Sequence, residues 1–139
     1  MKFADAAVVW PDVAEVAAPF YQGMQQHKVM IQRCESCQTY LPPVQVVCDH
    51  CGGNNLLWQA VKGGGEVYSF VVYHRSFHPS FDDKLPYTVA LIELKEGPRL
   101  QALLVGEGVA QCQVGMQVKP AFIKISDEHT LLCFDKAEK

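Results

Sequence analysis

Apolar positions change their period along this chain. Between residues 13 and 24, Val13, Val16, Ala17, Phe20, Tyr21 and Met24 recur at helical spacing. Asp12, followed three residues later by Glu15, reads as a helix start with Asp12 as the N-cap. Pro19 interrupts the run. A proline lacks the amide proton and clashes with the turn before it, so the pattern predicts two short helices, the second starting near Pro19. The preceding AAVVW is a short apolar stretch that reads as a docking arm. KVMIQR, over 28–33, then predicts a strand.

From Leu56 onward the text is β-like to the end. Strands are predicted over 56–61, 66–76, 87–95, 99–106, 118–126 and 130–134, with turn signals in HPSFDDKLP, EGP, GEG and SDEH. Gly63-Gly64-Gly65 reads as a flexible joint at which a mini-domain could hinge. The last five strands, several apolar on both faces, suggest a small closed barrel instead of a one-faced sheet. The predicted organisation is a helical segment over 1–27, a cysteine-rich ribbon over 28–62 and a barrel over 63–139, mainly β in class.

Composition narrows the setting. At 139 residues, 49% hydrophobic and 19% charged, the chain can bury a core in one compact domain or in one domain plus a mini-domain. No run of 18 apolar residues occurs, and MKFADAAVVWPD lacks the clean apolar stretch of a signal peptide, so a cytoplasmic location is expected. Thiols in such a compartment stay reduced, and the six cysteines are not read as three disulfides. The formal charge of −3 disfavours non-specific nucleic-acid binding, which depends on Lys and Arg to release counterions.

The strongest chemical signal is CESCQTYLPPVQVVCDHC, in which Cys34 and Cys37 form one CxxC pair and Cys48 and Cys51 another. Each CxxC makes a turn whose backbone N–H groups point at sulfur, and two such knuckles complete a tetrahedral thiolate cage. Zinc is the expected ion, with iron as the alternative that the same geometry suits. Four cysteines leave no open coordination position, so the site is read as structural, not catalytic. Gly52 suits the second knuckle, while Gln38 holds the equivalent place in the first. His50 is read as facing solvent. Cys112, in a loop, and Cys133, in a strand, are read as non-catalytic, since nothing in the sequence places a base beside either.

No phosphate-binding loop, GxSxG, HExxH or GxGxxG motif occurs, and Asp82-Asp83 reads as a solvated loop tip. The more suggestive stretch runs from Val72 to Leu91. His74, Arg75 and His78 fall at a strand end and in the loop after it, followed by Lys84. Together with Arg99 they are the candidate ligand-binding residues, Arg75, Lys84 and Arg99 forming a possible anion-binding set. Tyr68, Phe70, Tyr73 and Phe77 could alternatively serve as stacking platforms for single-stranded nucleic acid, although few basic residues accompany them.

The order PFYQG, QRC, CxxC, LPP, CxxCGG, GGGEVYSFVVYHR, PYTVALIELKEGPRL and a late VGM resembles a known family. It is similar to the bacterial and archaeal zinc-ribbon OB-fold proteins associated with acyl-CoA enzymes, long described as a domain of unknown function. The likeness runs from about Pro19 to Phe134. It implies a rubredoxin-like zinc ribbon followed by a five-stranded OB-fold barrel, with Cys34, Cys37, Cys48 and Cys51 as the zinc ligands. It also implies a non-catalytic accessory subunit that binds acyl-CoA beside a thiolase-like partner, in lipid, steroid or polyketide metabolism. A homodimer and a hetero-oligomer are both compatible with the sequence. Tyr68-Ser69-Phe70, His74-Arg75, Pro86-Tyr87 and Gly97-Pro98-Arg99 match the barrel motifs. Val44-Gln45 depart from a pattern that often has Arg soon after the paired prolines, which weakens any role of the ribbon in gripping a coenzyme A phosphate.

Overall fold

A computed structural model describes residues 14–76 and 84–137. Asp12 as an N-cap, Phe77, His78 and Asp82-Asp83 lie outside the described residues. A 3-10 turn at Glu15–Ala17 leads into α1 (Ala18–Gln25), with Pro19 in its first turn, where the missing amide proton costs nothing. The helix ends at His27, whose φ of 58° lets Lys28 N–H reach back to Gly23 O at 2.8 Å and turns the chain into the first strand. The His27 ring stacks on Phe122 at 5.0 Å.

Eight strands follow: β1 (Val29–Cys34), β2 (Tyr40–Leu41), β3 (Leu56–Val61), β4 (Gly65–Tyr73), β5 (Tyr87–Leu94), β6 (Arg99–Leu103), β7 (Gln117–Lys124) and β8 (Thr130–Lys136). A one-turn helix, α2 (Glu107–Ala110), lies between β6 and β7. The first three strands form a sheet of order β2-β1-β3, and the other five a sheet of order β6-β5-β4-β7-β8. All ladder pairs are antiparallel. Among the described residues, the two edges of the larger sheet are joined by a parallel bridge between Leu104, just past β6, and Phe134 of β8, with Val105 N–H donating to Phe134 O at 2.9 Å. The barrel is therefore partly open, not the fully closed one that two-faced apolar strands suggested. Leu104 and Phe134 fill its seam as wholly buried side chains, so packing closes what hydrogen bonding does not.

β5 shows why the larger sheet has an inside. Thr88, Ala90, Ile92 and Leu94 are buried in strict alternation, and the last three share one core cluster with Val67, Val118, Leu132 and Phe134. β4 breaks such a pattern at one residue. Val67 pairs with Ile92 and Ser69 with Leu91, so Tyr68 is the extra residue of a β-bulge. The bulge switches the inward parity from Gly65 and Val67 to Phe70, which packs on the core.

Val29 and Ile31 of β1 belong to the same core cluster as the barrel strands. The smaller sheet therefore does not hinge on its glycines. Gly63 has a φ of +81°, and a Cβ there would stand 2.7 Å from Val29 Cγ2 and 2.8 Å from Pro120 Cγ. Gly65 lies in β4, where a Cβ would run into the Glu93 carbonyl. The triplet is a point of close approach between two sheets, where flexibility was the sequence expectation. Gly63→Ala should lower unfolding stability by about 1–3 kcal/mol, combining left-handed strain with overpacking. Gly97→Ala, at φ +119° with nothing within 4 Å, carries the strain alone and should cost less in the same urea titration. Equal losses would count against a packed junction.

Candidate metal centre

The sequence turns the chain twice around one point. Cys34 ends β1, and its N–H donates to Thr39 O at 2.9 Å while Gln38 N–H donates to Cys34 O at 2.8 Å. The second knuckle repeats this bond for bond: Cys48 N–H to Gly53 O at 2.7 Å and Gly52 N–H to Cys48 O at 2.8 Å. Gln38 and Gly52 occupy matching places with φ of 65° and 80°. Glycine takes that conformation freely; Gln38 is held there by its side-chain amide donating to Glu35 O at 2.8 Å and by Arg33 Nε donating to its carbonyl at 3.2 Å.

The knuckles bring the four sulfurs within 4.8 Å of one another. Cys34 and Cys51 Sγ are 3.6 Å apart, and Cys37 and Cys48 Sγ 3.7 Å. Tetrahedral zinc with Zn–S bonds of about 2.3 Å sets its sulfurs about 3.8 Å apart. His50 and Cys51 N–H groups both point at Cys48 Sγ at 3.4 Å, as donors to a thiolate do. Hydrogen bonds from the Thr39 hydroxyl and backbone hold the Cys37 thiol down at about 6. The backbone bond from Gly53 draws Cys51 down too, but hydrogen-bonded Cys34 and Cys37 outweigh it and the thiol is pushed up to about 12. A set that cannot ionise together on its own fits a divalent, thiophilic cation.

Little else holds this end of the chain together. Its apolar cluster has only Cys34, Leu41 and Cys48 fully buried, with Cys37 and Leu56 against them. One buried leucine contributes about 1.5–3 kcal/mol, against roughly 10–16 kcal/mol for a structural zinc. The ion outweighs the apolar contacts. Gln32 is a supporting residue that the sequence pattern did not single out. Buried one position short of Arg33 in β1, its amide donates to Gln45 O at 3.0 Å and accepts from Gln45 N–H at 2.6 Å. This clamp fixes the loop between the knuckles, and a polar residue inside an apolar strand was its only signal.

The other candidates do not form one cluster. His74 and Arg75 follow β4, and Lys84 stands just before β5, so all three sit at one end of the β4–β5 pair. Arg99 is opposite Glu93, and Glu93 opposite Glu66, at the other end, roughly 20 Å away along seven strand residues. Arg99 is also committed there: its Nε bonds Glu93 Oε2 at 2.9 Å and its guanidinium lies 3.6 Å over the Tyr68 ring. Arg75 and Lys84 thus share one end of the strand pair, and Arg99 stands at the other. Burial pushes the Cys133 thiol up to about 12 and that of Cys112 upward, so neither is readily a thiolate.

Two family models match in succession. Residues 22–56 match "ChsH2, rubredoxin-like zinc ribbon domain" and residues 58–122 match "ChsH2, C-terminal OB-fold domain". A "probable enoyl-CoA hydratase alpha subunit" of Thermomonospora curvata is 37% identical over 129 residues, 91% of this chain and 39% of that protein. The "3-oxo-4,17-pregnadiene-20-carboxyl-CoA hydratase alpha subunit" of Mycobacterium tuberculosis is 31% identical over 87% of this chain and 38% of its own. This chain thus spans about two fifths of those relatives. A solved structure titled "Ltp2-ChsH2(DUF35) aldolase" superposes with a TM-score of 0.82 at 36% identity, covering 93% of this chain and 100% of that one.

The four cysteines are thus those of a rubredoxin-like zinc ribbon, positioned to bind a structural zinc. Elemental analysis of protein purified without chelator should give one zinc per chain. Cys34→Ser should abolish that zinc and also lower the thermal midpoint of the whole chain, because β1 carries Cys34 at one end and Val29 and Ile31 in the shared core. A metal-free wild-type protein, or a midpoint unmoved by the substitution, would contradict this.

Proposed function

The chain belongs to the ChsH2 family of zinc-ribbon and OB-fold proteins, and on that footing we propose that it is a non-catalytic accessory subunit which binds acyl-CoA and partners a thiolase-like enzyme. The same unit recurs in proteins named as hydratases of CoA thioesters and in a structure titled as an aldolase. That recurrence carries the reading. Hydration and aldol cleavage use different reacting groups, so a shared unit supplies what both need, which is recognition of the thioester and assembly with the subunit that reacts. Thiolase-like chemistry needs an activated Cys with His bases, and the partner would bring them. Lipid, steroid or polyketide metabolism is the setting this implies, in the cytoplasm.

The ribbon cysteines are fully used by metal, so contact with coenzyme A falls to the basic end of the β4–β5 pair. Arg75 and Lys84 are the residues proposed to meet a phosphate, with His74 beside them. Arg99 is proposed for a lesser part, holding Tyr68 and Glu93 in place on the barrel surface. Among the described residues, the aromatics lend the nucleic-acid alternative no support: Phe70 packs on the core, Tyr73 stacks on Tyr87 at 4.9 Å, and Tyr68 lies under Arg99.

Co-expression with a thiolase-like acyl-CoA enzyme should give a complex that co-purifies and binds an acyl-CoA. Arg75→Ala should weaken that affinity by about tenfold, the scale of one lost charged hydrogen bond, and leave zinc content unchanged. Acyl-CoA turnover by the chain alone would sink the accessory role. Tight single-stranded DNA binding with a steep salt slope, and no response to acyl-CoA, would establish the nucleic-acid alternative in its place.

A further inference from the structure

The two knuckles match in backbone but differ in what they place beside sulfur. Thr39 O accepts from Cys34 N–H at 2.9 Å and Gly53 O accepts from Cys48 N–H at 2.7 Å, so Thr39 and Gly53 hold the same station in the two turns. That station faces the sulfurs in both. At Gly53 an added Cβ would stand 3.4 Å from Cys51 Sγ, 3.6 Å from Cys34 Sγ and 3.3 Å from Ser36 Oγ, so a side chain there would press on the cage. At Thr39 the side chain is present, and its Oγ1 is hydrogen-bonded to Cys37 Sγ at 3.2 Å. The turn itself does not call for this residue, because the left-handed place belongs to Gln38, one position earlier, with a φ of 65°. A β-branched residue just ahead of β2 suits extended backbone, but valine would serve that end as well. The hydroxyl has another use.

We propose that Thr39 is a positioning residue of the metal centre, whose hydroxyl donates to the Cys37 thiolate and so favours the zinc-bound ribbon over the metal-free one. Without metal the bond takes its weak form, with a Cys37 thiol as the donor and Thr39 Oγ1 as the acceptor. A metal-bound thiolate has no proton to give. The hydroxyl then becomes the donor, and a hydrogen bond to an anionic sulfur is the stronger, charge-assisted kind. The reversal strengthens the bond only when the ion is held, so its gain appears in metal affinity. Cys37 and Cys48 are neighbours, with their Sγ atoms 3.7 Å apart. His50 and Cys51 N–H groups already draw charge from Cys48 at 3.4 Å, and the Thr39 hydroxyl does the same for Cys37, which eases the repulsion between the two.

This role rests on the structural zinc and not on the acyl-CoA reading, and the full chain without any partner tests it. Thr39→Val keeps the branched shape and removes the hydroxyl. Its zinc affinity, measured by competition with a chelator, should fall about tenfold, the lower end of what a hydrogen-bond partner of a metal ligand contributes. The cobalt-substituted chain gives a readout that packing alone does not move. Without its donor the Cys37 sulfur holds its electrons less tightly, so the thiolate-to-cobalt charge-transfer band should shift to longer wavelength. Thr39→Ser should restore both the affinity and the band. Thr39→Ala repeats the measurement should valine disturb β2. An affinity that falls while the band stays in place gives Thr39 a packing role and overturns the proposal. An unchanged affinity overturns it too, as does a serine variant that behaves like the valine one or a wild-type chain that takes up no metal.

Discussion

Four thiolates gathered around one point repel each other, and everything at the start of this chain depends on the cation that offsets that repulsion. At the observed Sγ separations of 3.6 and 3.7 Å, each pair of unit charges would repel by about 4–5 kcal/mol at an effective dielectric of 20. No apolar cluster of three buried residues can outweigh that. The split between Cys37, held down at about 6, and Cys51, pushed up to about 12, is what such a site does without a metal: protons take the place of the missing charge. With zinc bound, the same four side chains become the strongest tie in the ribbon, and the backbone N–H groups aimed at Cys48 share in stabilising its charge.

The tie reaches further than the ribbon because β1 serves two structures. Its last residue is a metal ligand, while Val29 and Ile31 sit in the core made by Val67, Ile92, Leu94 and Val118. α1 packs along the same strand through Met24. The close approach at Gly63 follows directly, since only a residue without Cβ lets Val29 and Pro120 meet there. A hinged ribbon would present its surface and that of the barrel in many relative orientations, and a partner would have to select among them. A shared core removes that ordering cost before any partner arrives.

What could be read from the sequence, and what could not, divides along physical lines. Paired CxxC spacing is a local signal, because each knuckle is closed by bonds between residues at most five apart, from Cys34 to Thr39 and from Cys48 to Gly53. Strand alternation in β5 is local too, and the strands over 56–61, 87–94 and 130–136 emerge close to their sequence bounds. β2, only two residues long, leaves no period to detect; it exists because Arg33 and Gln32 of β1 offer it partners. The separation of Arg99 from Arg75 is a matter of register, which depends on which residues of β4, β5 and β6 face one another. Three basic residues in a short stretch of text look like one site until an antiparallel ladder carries one of them to the other end.

The bulge at Tyr68 shows the same limit at a single residue. Without it, inward positions would run Gly65, Val67, Ser69, Val71 and Tyr73, which would place a hydroxyl toward the core and Phe70 outside. The inserted residue shifts the phase, so Phe70 turns inward and Val71 outward, and Tyr68 itself is left on the surface where Arg99 covers its ring. EVYSFVVY contains no glycine or proline to mark the event, and the apolar residues on either side are of similar size. What decides the matter is the neighbour: β7 pairs with Gly65 and Glu66, Gly115 and Met116 just before it still bond Val67, and beyond the bulge the ladder partner of β4 is β5. One extra residue thus divides β4 into a half whose inward residues are Gly65 and Val67 and a half in which Phe70 takes that place.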